Sequence, residues 1–253
     1  MNRDSLREPT LRVEFAETAS DVAEAQQLRY QVFARELGAA IGDKDHEYDC
    51  DRFDPHCVHI LVRGAEGQVV ACSRVLTSEA ARACGGFYSE QEFDLTPILA
   101  LPGRVMEVGR ICVHADYRRG PAIALLLAGL ARFMEERRYD YLIGCGSIPL
   151  GPDRKQALRS VVTLMRRYGC PDTLRVAPRN PLILDEENCS EDDESAAPAL
   201  VRAYMRLGAY VAGPPCFDPD FDVADVLILL FRTRFDGRYL ERLLGRSYKQ
   251  QVA

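Results

Sequence analysis

Residues 104–130, RVMEVGRICVHADYRRGPAIALLLAGL, decide how this chain is to be read. The first ten residues suit a strand, yet Glu107, Gly109 and Arg110 interrupt an otherwise apolar run. The second half carries an apolar stripe at helical spacing, Ile123, Leu126, Leu127 and Leu130, continued by Phe133 and Met134. A basic Gly-Pro turn joins the two. Strict alternation sends Glu107 and Arg110 to opposite faces, so one charge would meet the core, and an unpaired buried charge is costly. Two readings stay open. Either the two charges form an ordinary pair at a solvated sheet edge, or Gly109 marks a β-bulge that re-aims the side chains beyond it. A bulge would also part this strand from a neighbour and leave backbone groups that a ligand inserted between the strands would satisfy.

Outward from this stretch the pattern alternates strands and helices. Gly120 is the expected cap of the following helix and Pro121 its first residue. YDYLIGCGS (139–147) follows directly as a strand, which makes a βαβ unit with parallel strands. Upstream, LRVEFA (11–16) reads as a strand. Asp21 to about Gly38 reads as a helix, with Val22, Ala25, Leu28 and Val32 at helical spacing and Ser20 as N-cap. After a polar, acidic loop, HEYDCDRFDPH (46–56), two strands flank the GAEG turn (64–67) as a hairpin. Residues 79–101 are mixed, with a helix in part. Downstream, 152–169 reads as a helix ended by Gly169 and Pro171, 197–213 as a last helix and 221–235 as a last strand. With no internal repeat and no linker, the expectation is one α/β domain over 1–253 with a disordered acidic loop at 185–195.

Composition excludes several classes. An apolar fraction of 47% and a charged fraction of 28% are those of a water-soluble globular chain. No run reaches the length a membrane span needs, and the first residues lack the apolar stretch of a secretory signal, so a cytoplasmic location is expected. The net charge of −6 comes from DEENCSEDDE (185–194); without its seven carboxylates, 32 basic residues face 31 acidic ones. That balance speaks against nucleic acid as a partner. The nine cysteines are scattered without a C-x-x-C, and His56 and His59, three apart in an apparent strand, face opposite ways, so neither disulfides nor a metal is expected.

Several blocks together resemble a known family. YRRGPA (117–122) resembles the pyrophosphate turn Q/R-x-x-G-x-G/A of the GNAT acyltransferases, with Gly120 and Ala122 in register and Tyr117 in place of the first polar residue. LRYQVFARELG (28–38), EYDCDRFD (47–54), ACSRVL (71–76) and MEVGRICV (106–113) resemble successive blocks of the acyl-homoserine lactone synthases. GCGSIPL (144–150), residues 204–230 and GRYLERLLG (237–245) are similar to the L-ornithine Nα-acyltransferases of ornithine-lipid synthesis. The resemblance implies an α/β fold with a GNAT-like mixed, centrally splayed β-sheet flanked by helices and a β-bulge near Gly109. It implies transfer of a (3-hydroxy)acyl chain from acyl carrier protein to the α-amine of L-ornithine, giving lyso-ornithine lipid, with no cofactor beyond the donor. Phosphopantetheine has a single phosphodiester, which makes the departure at Tyr117 tolerable. The lyso-lipid product allows peripheral contact with the inner membrane.

Site residues carry over by position. The resemblance makes Glu107 the general base, Arg110 its orienter or a ligand of the acceptor carboxylate, and Tyr204 the acid for the leaving thiolate. Arg29 and Arg74 are further carboxylate ligands, and Asp49, Asp51 and Asp54 either hold the δ-ammonium or cap their loop. Phe33 lines the acyl tunnel. Ile111, Val113, Arg118, Arg119, Gly120 and Ala122 hold phosphopantetheine and steer the acidic carrier. For Tyr204 and Phe33 ordinary core packing is the competing reading, and a solvated helix face is that of Arg29. The competing functions are synthesis of another N-acyl amino acid or an acyl-homoserine lactone, acetyl-coenzyme A-dependent acetylation, and a non-catalytic binding module, against which Glu107 beside Arg110 argues.

Overall fold

A computed structural model describes residues 11–184, 192–238 and 241–242. The strands are β1 (Arg12–Phe15), β2 (Val58–Arg63), β3 (Val69–Thr77), β4 (Phe93–Asp94), β5 (Val105–Val113), β6 (Tyr141–Pro149), β7 (Ala177–Pro178), β8 (Tyr210–Val211), β9 (Cys216–Asp218) and β10 (Val223–Phe231). The helices are α1 (Ala19–Tyr30), α2 (Ser78–Cys84), α3 (Thr96–Leu99), α4 (Ala122–Glu136), α5 (Arg154–Tyr168) and α6 (Ala199–Arg206). The main sheet runs β1-β2-β3-β5-β6-β10-β8, with β9 also on β10. All its pairings are antiparallel except β5 with β6, the two strands that α4 connects.

Alternation along the strands divides the interior. Val75, Met106, Val108, Leu142, Ile148, Val226 and Ile228 meet the apolar stripes of α4, α5 and α6. α4 buries Leu125, Leu126, Leu127 and Leu130, each worth roughly 1.5–3 kcal/mol. The opposite face carries Leu76, Tyr141, Ile143, Leu227 and Leu229 under the 78–101 segment, and Leu61, Cys72 and Cys112 under α1. This second face also holds the charged residues.

The bulge is present, and it sits one residue beyond the glycine. Arg74 on β3 pairs with Gly109 and Cys72 pairs with Cys112, so Ser73 alone opposes both Arg110 and Ile111. Arg110, not Gly109, adopts the left-handed conformation, with a φ of 52°. Beyond the bulge the alternation is inverted, which brings Cys112 onto the face of Cys72, against α1.

The splay lies beside the bulge. Parallel pairing of β5 with β6 covers only Val105↔Tyr141 to Glu107↔Ile143, although the strands run on to Val113 and Pro149. β6 stays with β10 along its whole length. Where the strands begin to part they still pass closely, since a Cβ on Gly144 would lie 2.4 Å from the Val108 carbonyl oxygen.

Several boundaries differ from expectation. Thr18, not Ser20, caps α1, in a capping box with Asp21. The helix expected to Gly38 is α-helical only to Tyr30, and Gln31–Glu36 form a π-helix, a feature frequent at functional sites. α4 begins at Ala122, with Pro121 as its N-cap residue. The last helix ends at Arg206, after which Gly208 turns the chain into β8; the apolar run after it is a strand, not more helix. His56 lies in a 3₁₀ turn rather than a strand. Of the acidic run, 185–191 lies outside the described residues, whereas Asp192 and Glu194 pair with Arg167 on α5.

Candidate active site

Glu107 stands at the last register pair before β5 and β6 separate, and it is 4% exposed. Its Oε2 accepts from the Tyr88 N–H at 2.7 Å. Its Oε1 accepts from the Ser89 N–H at 2.7 Å and the Ser89 hydroxyl at 2.5 Å. These donors come from a 3₁₀ turn, Tyr88–Gln91, whose Glu90 carboxylate accepts from the Phe87 N–H. Burial pushes the Glu107 carboxyl up, against the pull of the Ser89 and Tyr88 donors and Arg74. A carboxyl shifted this way is better matched to proton transfer near neutral pH.

The bulge answers the difficulty posed by the two charges. Turning at Arg110 brings its guanidinium onto the Glu107 face, with Nε 3.1 Å from Asp49 Oδ2 and Nη2 3.5 Å from Asp51 Oδ2. The guanidinium lies 5.4 Å from the Tyr88 ring centroid and 5.5 Å from that of Phe221. Among the described residues Arg110 Nε makes no hydrogen bond of good geometry. Among the described residues no ion pair joins Arg110 to Glu107; each charge has its own partners.

Arg29, Asp49, Asp51, Asp54 and Arg74 gather beside Arg110, but they bind one another. Arg29 Nε donates to Asp49 at 2.7 Å, and its Nη1 and Nη2 donate to Asp54 at 2.7 and 3.0 Å. Arg74 donates to both Asp51 oxygens, at 2.6 and 2.7 Å, and to Asp54 at 2.9 Å. Burial raises the Asp54 carboxyl, but its bonds to Arg29, with the charges of Arg29 and Arg74, hold it well below the ordinary range. Three arginines and three aspartates thus form a network that is neutral in itself.

A second group of acids lies across the opening, and the sequence reading did not single it out. Asp225 on β10 stands opposite Ser147 on β6, and Cys145 on the same face of β6 lies between them and Glu107. The Cys145 thiol donates to Glu92 Oε2 at 3.3 Å and lies 3.4 Å from the Ser89 hydroxyl. Asp225 is 2% exposed, and its Oδ1 has no hydrogen-bond partner. Burial pushes the Glu92 and Asp225 carboxyls up. The charges of Asp225 and of Asp218 on β9 add to the rise at Glu92, and Asp218 adds to it at Asp225, where hydrogen bonds with Ser147 and Glu92 and the Arg110 charge pull the other way. Ser147 is exposed, so the group lies at the rim of the opening rather than deep in the core. The signal was there to read: Asp225 interrupts VADVLILLF just as Glu107 interrupts its own strand.

The remaining candidates lie apart. Tyr204 belongs to the core on the opposite face from Glu107, where burial alone pushes its phenol up. Phe33 meets Phe221 edge-on at 5.8 Å and packs beside α1. Ile111 and Val113 are half-buried on the free length of β5. Arg118 donates to the Val113 carbonyl at 3.1 Å and pairs with Glu36. Arg119 and Gly120 are exposed, while Ala122 is fully buried as the first residue of α4. The Tyr117 hydroxyl accepts from Gln68 at 3.0 Å. Among the described residues no side chain caps the N-terminus of α4.

Comparison with known proteins follows this architecture. The family model of the acetyltransferase (GNAT) domain matches residues 28–128. The L-ornithine N(alpha)-acyltransferase of Rhodobacter capsulatus is 34% identical over 251 residues, covering 93% of this chain and 96% of that protein. The protein of the same name from Rhizobium meliloti is 34% identical over 246 residues, covering 91% and 83%. Among solved structures, the AHL synthase LasI superposes with a TM-score of 0.54 at 16% identity, covering 94% of this chain and 96% of its own. FeeM, an N-acyl amino acid synthase from uncultured soil microbes, gives 0.53 at 12% identity, covering 89% and 92%. At these identities the two structures speak for the fold alone.

Proposed function

The chain belongs to the L-ornithine Nα-acyltransferase family, and from that premise we propose that it moves a (3-hydroxy)acyl chain from acyl carrier protein to the α-amine of L-ornithine, giving lyso-ornithine lipid. The observation that carries the reading is the slit that opens between β5 and β6 immediately after the buried carboxylate of Glu107. The thioester arm enters this slit along Ile111 and Val113. Its phosphate sits at the open N-terminus of α4, beside Gly120 and Ala122, and needs no cofactor.

In the reaction the amine nitrogen forms a bond to the thioester carbon, the carbon–sulfur bond breaks, and the amine proton leaves. An α-amine has a pKa of about 8 and a side-chain amine of about 10, so the α-amine loses its proton more readily. Glu107 has three donors on its oxygens already. The proton therefore passes through the Ser89 hydroxyl, which donates to Glu107 and accepts from the amine. Backbone amides at the bulge stabilise the oxyanion, at about 2.7–4 kcal/mol per donor. Tyr204, which the resemblance made the acid for the thiolate, lies in the core on the far face from Glu107, so the proton taken up by Glu107 returns to the leaving thiolate through the Ser89 hydroxyl. Arg110 takes the acceptor carboxylate, while the Arg29, Arg74, Asp49, Asp51 and Asp54 network holds its guanidinium in place. Phe33 borders the acyl chain beside Phe221.

Purified protein given acyl carrier protein thioesters and a panel of amino acids tests this by mass spectrometry of the product. Acylornithine blocked at its α-nitrogen is the expected product. Turnover with acetyl-coenzyme A and none with the carrier thioester would overturn the donor, and a homoserine lactone or neutral amino-acid product would overturn the acceptor.

A further inference from the structure

We infer that Glu92 and Asp225 form the subsite for the side-chain ammonium of the acceptor and so decide which of its two nitrogens is acylated. This rests on the functional reading above and adds to it the residues that select a diamino acid.

The two carboxylates and the Cys145 sulfur present ligand atoms that all lie within 4.8 Å of one another. Two carboxylates this close repel unless a cation or a proton stands between them. Among the described residues neither carboxylate forms an ion pair, although the Arg110 charge acts on Asp225. The three nearby arginines are matched by Asp49, Asp51 and Asp54, so the negative charge of Glu92, Asp218 and Asp225 is in surplus. Asp225 Oδ1 is buried and makes no hydrogen bond among the described residues, an unfavourable state that an arriving donor relieves. An alkylammonium supplies three donors and one positive charge. Burial raises both carboxyls, and a neighbouring acid adds to each, Asp225 at Glu92 and Asp218 at Asp225; a proton shared by the pair is the smallest cation the site takes.

Position supports the assignment. Glu92, Cys145, Ser89 and Glu107 stand in sequence, with steps of 3.3, 3.4 and 2.5 Å between their polar atoms. A short diamine thus reaches from the acid pair to the Ser89 hydroxyl. The nitrogen held by two carboxylates keeps its proton and is no nucleophile; the nitrogen beside Ser89 loses its proton and attacks. A metal ion is the competing occupant. Burial and the neighbouring acids push the Cys145 thiol well up, so it serves Glu92 as a hydrogen-bond donor and not as a thiolate ligand.

The test compares ornithine with 2-aminopentanoate, which keeps the carbon chain and lacks the second amine, on wild type, Asp225→Asn and Glu92→Gln. Wild type is expected to favour ornithine at least 100-fold in kcat/KM. Each variant is expected to raise the ornithine KM at least tenfold, bring the ratio towards one and leave the donor KM unchanged. An unchanged ratio in both variants, with wild type still acylating ornithine, overturns this subsite and spares the functional reading. Wild type that acylates 2-aminopentanoate and not ornithine overturns both. Should the variants not fold, ornithine must raise the wild-type Tm more than 2-aminopentanoate does; equal shifts overturn the inference. One equivalent of divalent metal in the purified wild-type protein, absent from Glu92→Gln, overturns it in favour of a metal site.

Discussion

Glu107 accepts from two backbone amides and a hydroxyl, so its replacement acts on the turn as well as on the chemistry. Glu107→Gln sets an NH₂ against one of those N–H groups, at a cost of about 1–3 kcal/mol in stability. It also removes the proton acceptor, so kcat should fall at least 100-fold while the donor KM stays within twofold. Ser89→Ala keeps the carboxylate and breaks the relay; it should lower kcat less than Glu107→Gln and leave the donor KM unchanged. Steady-state kinetics with parallel urea melts separate the two effects, and near wild-type turnover in Glu107→Gln removes it from the mechanism. Asp54 belongs to the scaffold. Asp54→Asn leaves Arg29 and Arg74 under-paired in the core and should cost about 3–5 kcal/mol by denaturant titration. The folded Asp54 carboxyl titrates below the unfolded one, so its contribution is present above about pH 4 and is lost as the pH falls through the folded value.

β5 joins two strains, a left-handed arginine and a close approach to β6. Arg110→Gly keeps the bulge at no conformational cost, whereas Arg110→Ala retains the positive φ with its strain of about 1–2 kcal/mol. Both lose the guanidinium, so both should raise the acceptor KM at least tenfold, with the glycine variant the more stable of the two in thermal melts. An acceptor KM unmoved in both removes Arg110 from the acceptor site. Gly144→Ala puts a methyl 2.4 Å from the Val108 carbonyl oxygen, which must move, so Tm should fall and the slit should widen. A variant with wild-type Tm and kinetics would show that this crossing is slack. The long strands, the βαβ unit and the helix starts of α1, α4, α5 and α6 were legible in the sequence to within a few residues, because apolar periodicity and caps are local; the short strands β4, β7, β8 and β9 were not. The π-helical end of α1 and the early end of α6 were not, because packing in each case overrode a pattern that read as helix.

Across the whole molecule charge is sorted into a neutral buried network, an acidic rim and a basic turn. The rim destabilises as it ionises: the Glu92 and Asp225 carboxyls titrate above their unfolded values, so stability falls as the pH rises above about 4. Glu92→Gln should flatten that decline in Tm between pH 5 and pH 9 and leave the acid limb, set by Asp54, in place. A Tm profile identical to wild type would remove the acid pair as the cause. At the turn both arginines are exposed, but Arg118 is engaged by Glu36 and Val113, and Arg119 has no ion pair among the described residues, which leaves it for an acidic carrier. Arg119→Glu should raise the KM for acyl carrier protein several-fold and weaken its dependence on salt. Unchanged kinetics across ionic strength would place docking elsewhere. Among the described residues no helix is long and apolar enough to cross a membrane.

The sequence by itself determined the order of the long strands and helices, because these depend on residue types at short spacings, and its blocks pointed to the family. The bulge near Gly109 it left open against a charge pair at a sheet edge, until the resemblance implied it. Which residue took the left-handed turn, which charges cancelled and which were left over were decided only by the tertiary structure. Arg29, Asp49, Asp54, Arg74 and Arg110 come from four separate segments, and Glu92, Cys145 and Asp225 from three more. The free energy of a buried charge depends on its neighbours in space, and those are set when the sheet closes and its strands part.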